Sequence, residues 1–383
     1  MLMFTPGPTE VHPRVLQAMA RPLQNPDLDP DFFTFYDDLC EKVKKIMRTH
    51  TDVILHSGEA IIGLEAAVAS LVSPGEKVLA MSSGIYGDGF ANFVQMYGGK
   101  PKTVKFPYDE IVRPEEVERF LEKEKDIEVA TLVHCETPSG TLNPLKEIGK
   151  ICGDHGVILI VDAVSSVAGV PVETDEWNVD INIVGSQKCL SAPPGVGIMS
   201  ISENAWEKME RRDKKNTINC RYLNLLAWKR DWFENREFPY THTVSLLYAL
   251  DEACNLILEE KLEKVYMRHE KIAIATRQAV KAMNLELYPK EEEYCSNTVT
   301  AIKIPQGIDD EKLRNHILQK YGVMIAGNWG ELKGKVIRLG HMGYNAYPHK
   351  TIHAIFALSE SLKDLGFKNS TEDAVKTLKE SLM

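Results

Sequence analysis

The chain has 383 residues, 44% of them hydrophobic, enough to bury a large core and to suggest a large domain joined to a smaller one. Its 45 lysines and arginines stand against 55 aspartates and glutamates, and the resulting charge of −10 disfavours nucleic acid and anionic membrane as partners. Seven cysteines, an odd number without a C-x-x-C pair, indicate neither a disulfide framework nor a structural zinc, and fit a reducing cytoplasm.

The start "MLMFTPGPTEV" has a four-residue apolar run without a basic flank, and no stretch approaches 18 apolar residues, so neither a signal peptide nor a membrane span is expected. After the Pro6-Gly7-Pro8 turn, short apolar runs alternate with helix-length amphipathic segments. The runs are "DVIL" (52–55), "KVLAMSS" (77–83), "EVATLVHCE" (128–136), "GVILIVDAVSS" (156–166), "DINIVGSQK" (180–188) and "GVGIMSIS" (195–202). That rhythm predicts an α/β fold, its sheet mostly parallel between helices. From about Asp251 the pattern predicts one long helix to about Met283, then "SNTVTAIKIP" (296–305), a helix over 309–322, "KVIRLGHMG" (335–343) and a terminal helix from about Tyr347. This reads as a smaller α+β domain, with boundaries at 16–253 and 254–383. The charged stretches 114–128 and 290–293 read as solvated surface.

In such sheets ligands gather at the carboxyl ends of strands, which here carry Glu136-Thr137, Asp162 and Gln187-Lys188. A lysine at a buried strand end needs a covalent or ionic reason to be there. A Schiff base to pyridoxal phosphate is one, and the pyridine nitrogen of that cofactor needs a carboxylate to stay protonated. Lys188 and Asp162 suit the two roles; an ordinary strand-end ion pair is the plain alternative. His56, His134 and His242 lack the i, i+4 spacing of a metal site, so no metal is expected.

Eight blocks then occur in order: "TPGPTEVHP" (5–13), "GLEAAVASLVSPGEKVL" (63–79), "SGIYGDGF" (83–90), "HCETPSGTLNP" (134–144), "VDAVSSVAG" (161–169), "GSQKCLSAPPGVG" (185–197), "PYTHTVSLLYAL" (239–250) and "GNWGELKGKVIRLGHMG" (327–343). Together they resemble the class V aminotransferases of the fold-type I pyridoxal-phosphate enzymes, nearly end to end. The resemblance implies transamination to a small 2-oxo acid such as pyruvate or glyoxylate, with Lys188 linked to the cofactor and moving the proton, and Asp162 on the ring nitrogen. It also implies that Tyr86 stacks on the ring, Thr137 and Gln187 bond the ring or its 3′ oxygen, and Val164 packs beneath. Arg338, between Ile337 and Leu339, would take a substrate carboxylate in its planar fork. The N-terminal segment 1–15, through Gly7, would close over the substrate. Tyr240 and Thr243 would reach the neighbouring subunit's cofactor phosphate, so a homodimer or a dimer-based tetramer is implied.

One block departs from the family. Where relatives carry a Ser-Gly-Ser-Gly-Thr type of phosphate turn, this chain has Ser57-Gly58-Glu59-Ala60-Ile61. A carboxylate within about 4 Å of a phosphate costs at least about 1 kcal/mol per charge pair even in bulk water. Either Glu59 points away and the backbone around Gly58 and Ala60 holds the phosphate, or the ligand is unphosphorylated pyridoxal or pyridoxamine. The pyridoxamine–pyruvate branch of the family carries a glutamate in this turn. That branch also uses a second arginine for pyruvate, at the position matched here by Trp329. A cysteine desulfurase or lyase on the same fold, which would need an exposed loop cysteine where Cys254 and Cys295 fall in an expected helix and at a strand entrance, and a vitamin-binding protein without turnover complete the alternatives.

Overall fold

The apolar runs become the sheet because each is long enough for a strand and bounded by polar or glycine-containing turns. The computed structural model describes residues 1–215 and 218–383. Seven strands form the central sheet: β1 (Asp52–Ser57), β2 (Lys77–Ser82), β3 (Lys100–Lys105), β4 (Val129–Val133), β5 (Ile158–Asp162), β6 (Ile181–Gly185) and β7 (Val196–Ile201). Their order is β1-β7-β6-β5-β4-β2-β3. Strands β4, β5, β6 and β7 are buried throughout, as expected where helices cover both faces.

Two details differ from the expectation. The 195–202 run is antiparallel to both its neighbours, β1 and β6. A ten-residue turn from Ser186 to Gly195 is too short for a crossover helix, so the chain can only double back. The edge strand β3, "KPKTVK", is the other departure: three lysines and a proline hide it from a search for apolar runs, and the same residues protect the sheet edge.

Four helices bear on the site: α1 (Ile61–Leu71), α2 (Ile85–Met96), α3 (Val244–Glu260) and α4 (Leu262–Ala282). The single helix expected over 251–283 is therefore two. Lys261 leaves helical space at φ 74°, ψ 129°, and Arg268 bridges the break by donating twice to the Glu260 carboxylate, at 2.7 and 2.8 Å. No glycine or proline marks that break in the sequence. The terminal helix is also two, Pro348–Asp364 and Thr371–Leu382, parted at Gly366, where φ is 92°.

There are two principal cores. The larger draws on residues from Val15 to Tyr266 together with Val299 and Met342, and the smaller joins Phe4 to side chains between Ala275 and Leu378. Phe4 fastens the N-terminal segment to the second core, and the N–H of Gly340 donates to the Phe4 carbonyl at 3.0 Å. The next residues, Thr5 to Pro8, are thereby held between the C-terminal strands and the sheet. Among the described residues no helix is long and apolar enough to cross a membrane.

Candidate active site

Register explains how a 26-residue gap closes. Strands β4, β5 and β6 are parallel neighbours with Asp162 opposite Val133 and Ile183, so Asp162 and the Gln187-Lys188 turn after β6 leave the sheet at the same end. Asp162 and Lys188 meet in a cavity of about 260 Å³ that Glu59, Ala60, Tyr86, Thr137 and Val164 also line.

Asp162 is 7% exposed, and its Oδ1 accepts the N–H of Val164 at 3.0 Å. Burial pushes its carboxyl up to about 6, and Lys188 pulls it back only partly. Lys188 donates from Nζ to the Pro6 carbonyl at 2.7 Å. Burial lowers its pKa below the ordinary lysine value, and the Arg338 charge adds to the effect. A depressed lysine is poised to lose its proton, the state a nucleophilic amine requires.

Gly7 makes this approach possible. Its φ is +106°, and a Cβ there would lie 2.4–2.6 Å from Cδ, Cε and Nζ of Lys188. Gly7→Ala must therefore push the lysine aside as well as strain the backbone. The expected result is a turnover loss of about 10²-fold from a small misplacement at the reacting centre, with a thermal midpoint lowered by the strained backbone. Steady-state kinetics beside a melting curve read both.

Tyr86 enters the cavity from the first turn of α2, its ring edge-to-face with Trp329 at 5.7 Å. Thr137 donates from Oγ1 to the Ser165 hydroxyl at 2.8 Å. Arg338 is 7% exposed and donates from Nε and Nη2 to the Gly327 carbonyl at 3.0 and 2.7 Å. Its guanidinium lies 5.1 Å from the Trp329 ring centroid, and burial pushes its pKa down to about 10. Among the described residues it has no carboxylate partner, so an internal ion pair does not explain it.

Glu59 follows Gly58, where φ is +155°, and its carboxylate turns onto the N-terminus of α1. Oε2 accepts the N–H of Ile61 at 2.9 Å, and Oε1 accepts from the Gln187 amide. The glutamate thus occupies the helix end that would attract an anion. Of the expected residues, Gly7, Gly58, Gln187, Arg338, Tyr240 and Thr243 are not part of the cavity lining. Thr243 donates its N–H to the Ser57 hydroxyl at 3.3 Å, while Tyr240 stacks on Tyr222 at 4.3 Å with its hydroxyl buried and unpartnered among the described residues.

Sequence reasoning passed over Glu136, although it named the strand end that holds it. The residue is fully buried, and its carboxylate accepts the N–H groups of Tyr86 and Gly87 at 3.1 and 2.6 Å. Burial pushes it up to about 8, against the pull of those two amides. The desulfurase candidates lack a reactive setting: Cys254 is buried within α3, and burial pushes the Cys295 thiol up to about 11.

A family model described as "Aminotransferase class-V" matches residues 1–338. An uncharacterized aminotransferase of Methanocaldococcus jannaschii is 40% identical, covering 100% of this chain and 97% of its own. The pyridoxamine–pyruvate transaminase of Mesorhizobium japonicum is 39% identical over 96% of this chain and 93% of its own. The crystal structure of pyridoxamine-pyruvate aminotransferase from Mesorhizobium loti superposes with a TM-score of 0.95 at 35% identity, covering 100% of this chain and 97% of that one. With the expected mostly parallel sheet and helices in place, the chain belongs to the class V aminotransferases and is a transaminase.

Proposed function

We propose that this transaminase moves an amino group to a small 2-oxo acid, pyruvate or glyoxylate, by ping-pong turnover with a pyridoxal group held at Asp162 and Lys188. The observation that carries the reading is Arg338, a buried guanidinium with two nitrogens on a carbonyl and no acid partner among the described residues. A charge so placed is costly unless a ligand carboxylate completes it.

The ring end of a pyridoxal group fits the cavity. Asp162 offers a buried carboxylate, Lys188 an amine with a depressed pKa, and Thr137 a hydroxyl. Bound there, the group supplies an electron sink for the substrate carbanion. Asp162 would hold a proton on the ring nitrogen, Lys188 would accept and return the substrate's Cα proton, and Tyr86 and Val164 would hold the ring. Thr137 and Gln187 bond the ring or its 3′ oxygen, and the backbone at Gly7 closes the substrate side. Arg338 orients the carboxylate.

The phosphate end fits less well, because the Glu59 carboxylate already caps α1. This favours a second reading in which unphosphorylated pyridoxamine is the amino donor, as the name of the Mesorhizobium relative states for that enzyme. Glu59→Ser separates the two. Removing one negative charge from beside a dianion relieves at least about 2 kcal/mol, so the preference for pyridoxal phosphate over pyridoxal is expected to rise by about 30-fold or more. Titration of each vitamer by absorbance measures the ratio, and an unchanged ratio would place Glu59 away from the phosphate end.

We further assign residues 16–253 to a large cofactor-binding domain and 254–383 to a small one, with segment 1–15 serving the site. From the class V family to which the chain belongs we infer a homodimer or dimer-based tetramer. Tyr240 and Thr243 would then serve the partner's site. Free cysteines throughout support a cytoplasmic setting.

A further inference from the structure

Glu136 lies between two cavity residues, Cys135 and Thr137, yet its own side chain turns away from them to the start of α2. The N–H groups it accepts, those of Tyr86 and Gly87, belong to the first turn, whose amides have no partner inside the helix. A carboxylate there is favoured by the helix dipole as well as by the two bonds. The sequence makes room for it: a Cβ on Gly84 would stand 2.3 Å from the Glu136 carboxyl carbon. Since φ at Gly84 is −178°, steric room rather than backbone conformation is what requires glycine at this position.

Asp88, in the same turn, is already engaged by Ser82, Lys105 and Tyr108 and makes no bond to these amides. Glu136 is thus the side chain that holds the backbone of Tyr86, and the Tyr86 ring lines the cavity with Asp162 and Lys188.

We propose that Glu136 is a positioning residue: its buried carboxylate fixes the first turn of α2 and so holds the Tyr86 ring where a flat heteroaromatic ligand must stack. The ligand part of this inference rests on the reading of the cavity as a pyridoxal site. Glu136→Gln keeps the shape but turns an amide NH2 toward one of the two N–H donors.

The test has two parts, both on the full chain. In the ligand-free protein at pH 9, above the value of about 8 to which burial pushes the Glu136 carboxyl, Glu136→Gln is expected to speed hydrogen exchange at the Tyr86 and Gly87 amides by about tenfold, the equivalent of one weakened charge-assisted hydrogen bond. Exchange in β4 and β5 stays as in the wild type. In the second part pyridoxal is the probe, and a double-mutant cycle compares Glu136→Gln alone, Tyr86→Ala alone and the pair. Glu136→Gln weakens pyridoxal binding about tenfold when Tyr86 is present and leaves it unchanged when Tyr86 is alanine. An equal loss in both backgrounds, or unaltered exchange at Tyr86 and Gly87, overturns the proposal. Should Glu136→Gln fail to fold, Gly84→Ala displaces the same carboxylate from the opposite side and is read by the same criteria. If wild-type protein binds no pyridoxal, the cavity reading fails, and the exchange measurement still decides whether Glu136 holds this turn.

Discussion

Lys188→Ala is expected to abolish turnover while leaving the protein folded. Removing a group that transfers a proton costs on the order of 10²–10⁴ in rate, and the proposed covalent attachment of a vitamer would be lost besides. The combined loss should therefore reach at least the upper end of that range. The fold survives because, among the described residues, the lysine side chain makes one hydrogen bond, to the Pro6 carbonyl, and is otherwise a cation held with a lowered pKa by burial and by Arg338. Its removal relieves an electrostatic cost. Single-turnover transfer from an amino donor to pyruvate, set beside a thermal melt, measures both consequences. Normal transfer by the variant would remove Lys188 from the chemistry altogether.

The second large effect has opposite signs for activity and for stability. Asp162→Asn is expected to lower kcat on the order of 10²–10³-fold, the usual cost of removing one electrostatic partner from a reacting group. The same change should stabilise the ligand-free protein at alkaline pH. The Asp162 carboxyl is raised from 3.8 to about 6 by burial, so the native state binds its proton more tightly than the unfolded chain. The charged form therefore costs stability above pH 6, and the cost vanishes as pH falls below the unfolded value. A rise of that size in the folded state is equivalent to about 3 kcal/mol. At pH 8 the ligand-free variant should exceed the wild type by up to that amount, the gap closing between pH 6 and pH 4. Asparagine keeps an oxygen for the Val164 N–H, so the bond at 3.0 Å need not be lost. Urea unfolding at three pH values tests the sign, and a gap that stays constant with pH would contradict it.

These two residues were also the most legible in the sequence. Asp162 ends a five-residue apolar strand, and Lys188 follows another, so pattern alone brought them to one end of a sheet; their chemistry then followed from what a buried lysine requires. Arg338 was legible for the same reason, as a charge inside an apolar strand, and its lack of an internal acid strengthens that inference. Less legible were features set by tertiary contact. The break at Lys261 depends on a turn between two packed helices and carries no glycine or proline. Strand β3 is held by pairing with β2 and not by its own apolar content. Glu136 was overlooked because its role depends on amides from a helix that begins 51 residues earlier, at Ile85. The placement of Glu59 over the α1 terminus turned an oddity of composition into a geometric statement: its carboxylate already accepts the N–H of Ile61 at the helix end that would attract an anion.

The central claim is that a pyridoxal group is carried by Lys188 in the cavity it shares with Asp162. The direct measurement is borohydride reduction of the full-length protein after mixing with pyridoxal or with pyridoxal phosphate in separate samples, followed by digestion and mass analysis of the peptide containing Lys188. The account predicts a stable pyridoxyl addition on Lys188, with or without phosphate according to how Glu59 is accommodated. Amino transfer by a protein that shows no addition at Lys188 with either vitamer would contradict it.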